Sequence, residues 1–197
     1  MPLAIPDLSL TQGQLLWALG HGREPSELLK DQLRYVRQLG IPRKSTQQAP
    51  GSGNRIRYDF YDLVEVGVAA KALELRFRPA DIKPILVDHR REFHETIATA
   101  WRELPDAALT QPWVKSRGKV IAFVGDEIFV RLHDRRSERW GKLDLLMPSR
   151  LGEEMSPITM KEVFPDGEER PVIQLKQSML PWVAWALEAP EPRRGPK

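Results

Sequence analysis

Pro25 to Gly40 reads PSELLKDQLRYVRQLG, and this stretch decides how the first half of the chain folds. Leu29, Leu33, Val36 and Gly40 recur at i, i+4, i+7 and i+11, which puts them on one face of a helix running to about Leu39. Pro25 stands where prolines open helices, at the first helical position. The opposite face carries Lys30, Arg34 and Arg37 at i, i+4 and i+7, flanked by Gln32 and Gln38, whose amides both donate and accept. Upstream, Thr11 to Leu19 (TQGQLLWAL) is a shorter helical pattern with Leu15, Leu16 and Leu19 on one side and Gly20 as its stop. Two helices joined by a Gly-containing turn form the skeleton of a helix-turn-helix.

Downstream, residues 42–53 (PRKSTQQAPGSG) hold no periodic apolar positions and read as a loop, with Arg43 and Lys44 at its entrance. Arg55-Ile56-Arg57-Tyr58 alternates as a short strand does, placing Arg55 and Arg57 on one side and Ile56 and Tyr58 inward. Asp59 is positioned to cap a third helix whose core side is Leu63, Val66, Ala70, Leu73 and Phe77. Pro79 opens another helix, which Pro84 kinks or divides. Beyond it Leu86, Phe93, Ile97, Ala100 and Leu104 form an apolar stripe along a helix of about 20 residues.

At Pro105 the pattern changes from helical to period two. Val120–Val124, Gly125-Asp126 and Ile128–Leu132 read as a hairpin on a two-residue turn, and Leu143–Met147 as a further strand. Pro165-Asp166-Gly167 is a turn between candidate strands at 159–164 and 171–176. Ser178 to Leu187 reads as a final helix whose Trp182 and Trp185 belong to a core, and residues 189–197 as a mobile tail. The expected fold class is therefore α+β: a winged helix-turn-helix helical domain over 1–104, then a smaller β-rich domain over 105–197.

Composition narrows the chemistry. The chain has 197 residues and no cysteine, so disulfides, thiolate metal sites and cysteine nucleophiles are excluded. No run approaches the ~18 apolar residues of a membrane span and the start lacks a signal layout, so the expectation is a cytoplasmic protein without a membrane partner. The net charge is only +3, but residues 1–58 hold 8 Lys/Arg against 4 Asp/Glu, which suits a polyanion-facing surface. His89, Glu92 and His94 lie close in sequence, but helical metal pairs need i, i+4 spacing, so no metal is expected there. No nucleophile elbow, phosphate-cradling glycine loop or deaminase signature occurs; no catalytic residue and no cofactor are assigned. The densest cationic run, His133 to Lys142 around Trp140, reads as an exposed loop.

The order helix, turn, helix, loop, strand, helix brings seven cations onto adjacent elements. A helix fits the major groove and reads base edges, while a flanking loop and strand reach phosphates. The run LRYVRQLGIP (Leu33–Pro42) resembles the recognition helix of MerR-type regulators, and Arg57 to Leu86, with Tyr58, Asp62, Leu63, Ile82 and Leu86 in matching places, is similar to the segment that follows the wing in that family. The resemblance covers roughly residues 10–87. It implies a dimeric winged helix-turn-helix on palindromic promoter DNA, with Arg34 and Tyr35 on the DNA side and a wing arginine carried by Arg55 or Arg57. The expected DNA-binding set is Lys30, Gln32, Arg34, Tyr35, Arg37, Arg43, Lys44, Arg55 and Arg57. Residues 85–104 are the expected dimer helix, and the C-terminal half is expected to take a small-molecule effector or a protein partner. The alternatives are a phage or plasmid architectural protein with the same fold, or an enzyme carrying a DNA-targeting module.

Overall fold

Each of the first three helices begins at a side chain that accepts a hydrogen bond from its first turn. The computed structural model describes residues 3–42, 56–75, 77–104, 108–109, 129–131, 145–146 and 172–191. Helix α1 (Gln12–Leu19) starts at Thr11, which accepts from the Gln14 amide while the Gln14 side chain accepts from the Thr11 amide, a capping box. Helix α2 (Glu27–Gln38) starts at Ser26, whose hydroxyl accepts from the Leu29 amide. Pro25 therefore precedes the cap and does not open the helix, because Ser26 supplies the acceptor that the free amides need. Helix α3 (Phe60–Glu74) starts at Asp59, which exchanges bonds with Asp62 at 2.8 and 2.9 Å. Asp59→Ala is expected to cost about 1 kcal/mol of stability in a urea titration; an unchanged midpoint would show the cap to be idle.

Helix α3 is the centre of the core. The sequence predicts one buried face, but Phe60, Leu63, Val64, Val66, Val68, Ala69 and Ala72 are all covered, so the helix is enclosed on nearly every side. Its small residues let neighbours approach closely. Tyr58, just before it, is buried and exchanges two backbone bonds with Leu10, an antiparallel bridge to the segment ahead of α1. Arg57 points outward and Tyr58 inward, as the alternation predicts.

Pro84 divides the next helix. Helix α4 (Pro79–Lys83) runs into a π-helical turn (Pro84–Asp88), then α5 (Arg90–Arg102) follows His89. The His89 amide reaches the Pro84 carbonyl at 3.1 Å, the wide i→i−5 bond of a π turn. The stripe expected to face a second copy is buried within this chain: Leu86 and Leu104 are 1% exposed, and Phe93, Ile97 and Ala100 are 0%. This face packs on α3 and the C-terminal helix.

Strands β1 (Phe129–Arg131), β2 (Leu145–Leu146) and β3 (Val172–Gln174) form an antiparallel sheet of order β2-β1-β3, with Val130 opposite Leu145 and Ile173. Most of the expected β-rich half, including residues 120–128, 132–144 and 147–171, lies outside the described residues, as does the wing loop at 43–55. The described part is α-rich.

Helix α6 (Leu175–Leu187) follows β3 directly, so Leu175 and Lys176 are helical and not the end of a strand. It packs on α1, α3 and α5. The Trp182 ring packs closely on Gly67, where a Cβ would come to 2.5 Å from it. Trp185 covers Gly22, which holds a φ of +71° in the α1–α2 turn, and meets Trp17 edge-on at 5.2 Å. Lys176 bridges to Glu103 at 2.7 Å, and the Gln14 side chain donates to the Pro190 carbonyl. A domain boundary at 104/105 would thus cut α6 from the core it completes. The expected free tail is tied down at its beginning.

Candidate nucleic-acid interface

The amphipathic pattern of α2 turns Leu33 and Val36 into the core and leaves Arg34, Tyr35, Arg37 and Gln38 outside. Lys30, Arg34, Arg37 and Gln38 line a groove of about 670 Å³ whose other wall is Gln12 and Gly13, in the first turn of α1. Amides at a helix start carry partial positive charge, so this wall adds to the cations facing it. Leu16 and Leu33 also line the groove, and both are buried.

Each stripe cation has a local partner. Lys30 meets Glu27 at 2.7 Å, and that hydrogen bond raises the ammonium above its ordinary pKa and lowers the Glu27 carboxyl. Arg34 meets Asp31 at 2.6 Å, and Arg37 donates to the Gln12 side chain at 3.1 Å. Exposed pairs of this kind are screened by water and contribute little, so a phosphate oxygen can replace the partner at little cost. Arg57 donates to the Ser9 carbonyl at 3.3 Å. Tyr35 is 43% exposed and free to stack or donate outward.

Gln32 departs from expectation. It is only 9% exposed and sits beside Leu33 on the covered side of α2, so its amide is not presented with the stripe. Arg43, Lys44 and Arg55 lie outside the described residues. Of the expected set, then, the structure brings Lys30, Arg34 and Arg37 together in one groove, leaves Tyr35 exposed beside them, and sets Arg57 on a separate strand-like segment.

A second polar cluster was not nominated by the sequence. Glu65, 1% exposed in the middle of α3, accepts from Arg90 Nε at 2.8 Å and contacts His94 Nε2 at 2.5 Å, both through the same oxygen. Arg90 also donates through Nη2 to the Gly40 carbonyl just past α2, at 2.7 Å. The sole sequence signal was a carboxylate set among Val64, Val66 and Val68, where an unpaired charge would be costly. His89 pairs with Glu92 at 3.3 Å while His94 turns to Glu65, so the His89/Glu92/His94 trio does not converge. Among the described residues no group of three or more His, Asp or Glu is arranged to hold a metal ion, and no helix is long and apolar enough to cross a membrane. Comparisons with protein-family models, with curated proteins and with solved structures give no match.

Proposed function

We propose that this chain is a DNA-binding transcription regulator of MerR type, with α1 and α2 as the helix-turn-helix and residues 43–57 as the wing. The observation that carries the reading is the single groove in which Lys30, Arg34 and Arg37 face the first turn of α1. A helix with an exposed cationic stripe fits the major groove, and the start of a neighbouring helix suits a backbone phosphate. The proposal includes a dimer on a palindrome, formed through a surface other than the buried 86–104 stripe. It also includes a β-rich sensing unit within residues 105–174, built around the β2-β1-β3 sheet. It assigns the chain no reaction.

The test separates base reading from phosphate contact. Sites are selected from a random duplex pool, and each variant is titrated on the selected and a scrambled site across a salt series. Arg34→Ala is expected to cost about 1–3 kcal/mol on the selected site and little on the scrambled one. Arg57→Ala is expected to weaken both alike and to reduce the salt slope by about one counterion. If both variants bind both duplexes like wild type, the two helices are a protein-contact module. Footprinting that shows coating without a short protected palindrome would point instead to an architectural protein.

A further inference from the structure

We propose that the outer face of α5 binds an extended small polyanion, a molecule with two or more phosphate or carboxylate groups. A groove of about 800 Å³ runs along this helix, lined by Arg90, Arg91, Arg102, His94 and Tyr61, with Glu95 as the one acidic side chain among the described residues that line it. That volume lies in the range of small-ligand sites, roughly 300–1,000 Å³.

Two features make it a prepared site. Glu65 beneath the groove holds Arg90 and His94 in place through one carboxylate oxygen and is itself almost fully covered, so it orients both side chains without facing a ligand. His94 also stacks on Tyr61 at 4.6 Å and 22°. Such fixed donors lose little entropy on binding. Arg90 has its Nε and Nη2 engaged, and its Nη1 makes no bond among the described residues; Arg102 makes none with any of its nitrogens. Among the described residues Arg91 is engaged by Glu95 alone, an exposed pair at 3.0 Å that contributes little.

Spacing sets the ligand class. Arg90 and Arg102 are three turns apart, about 18 Å along the axis at 1.5 Å per residue. Cationic side chains at both ends of the groove suit negative groups at two separated positions and not one lone ion. Because Arg90 also donates to the Gly40 carbonyl, a ligand that draws Arg90 outward competes for that bond at the end of α2. The link from there to DNA affinity rests on the proposed function; the binding site itself does not.

The full-length chain, labelled with ¹⁵N, is titrated with tripolyphosphate and separately with citrate, against sodium chloride at matched ionic strength. The Arg90 Nε–H and the His94 ring signals are followed, together with the Gly40 and Ile41 amides. Saturable shifts with at least one polyanion are expected, with Arg102→Glu raising the half-saturation concentration about tenfold or more. Arg102 is exposed and makes no side-chain bond among the described residues, so this variant is expected to keep the fold, and Arg34→Ala in the other groove should leave the shifts intact. Shifts that track chloride without saturating, or that survive Arg102→Glu, would overturn the site. So would saturation by duplex DNA alone, which would make the groove part of a nucleic-acid surface. DNA binding by the ligand-free wild type tests the regulator reading separately, so either can fail alone.

Discussion

A chain ended at residue 104 is expected to lose cooperative folding altogether. The sequence suggests the opposite, since the composition break at Pro105 looks like a domain boundary. But Met179, Leu180 and Val183 are 0% exposed and Trp182 is 6%, all against helices of the first half. Burial of such side chains stabilises by about 1.5–3 kcal/mol each, so losing these four removes roughly 6–12 kcal/mol. That equals the whole stability of an ordinary domain, about 5–15 kcal/mol. The truncated chain would also bare the Gly67 face of α3 and the side of α1 that Trp185 covers. Thermal and urea unfolding followed by circular dichroism check this. A sigmoidal transition for residues 1–104 within a few degrees of the full chain would show that α6 is dispensable and the N-terminal half autonomous.

Trp182→Ala should destabilise the intact chain by about 3–5 kcal/mol, the cost of emptying a large aromatic site in a core that cannot collapse around it. The complementary change on α3 should also be adverse. An exposed helical glycine gains about 1 kcal/mol on replacement by alanine, yet Gly67→Ala drives a methyl into the six-membered ring of Trp182. Overpacking of that kind costs about 1–3 kcal/mol, and the sign of the measured change decides which effect wins. In a Trp182→Phe background the shorter ring leaves room, so the penalty of Gly67→Ala should shrink by about 1 kcal/mol, a coupling readable from a double-mutant cycle. If Gly67→Ala stabilises the wild-type chain, the two helices do not meet as described.

The cap of α3 at Asp59 was legible, and those of α1 and α2 could have been, because caps are local. Thr11, Ser26 and Asp59 each act on an amide three residues ahead, and the side chain and its partner lie within one turn. The cationic stripe of α2 was legible for the same reason, since Lys30, Arg34 and Arg37 need only helical spacing to share a side. Gln32 was misplaced because it stands at the edge of that pattern, where the packing of neighbouring helices decides whether a side chain is covered. The Glu65–Arg90–His94 cluster was legible only as a misfit, a carboxylate inside an apolar run whose partners stand 25 and 29 residues away.

From its sequence alone the chain shows where its helices lie to within a residue or two, which positions are apolar and which carry charge, all consequences of backbone period and nearest neighbours. The tertiary structure decided what covers those faces. Leu86, Phe93, Ile97 and Ala100 form a stripe that a second copy or the chain's own helices satisfy equally well by pattern, and here the chain itself covers it. Trp185 meets Trp17 and Gly22 from more than 160 residues along the chain, roughly. Periodicity records that a surface must leave water, because burial depends on apolar area and not on its partner; only close packing, which tests shape, selects the partner.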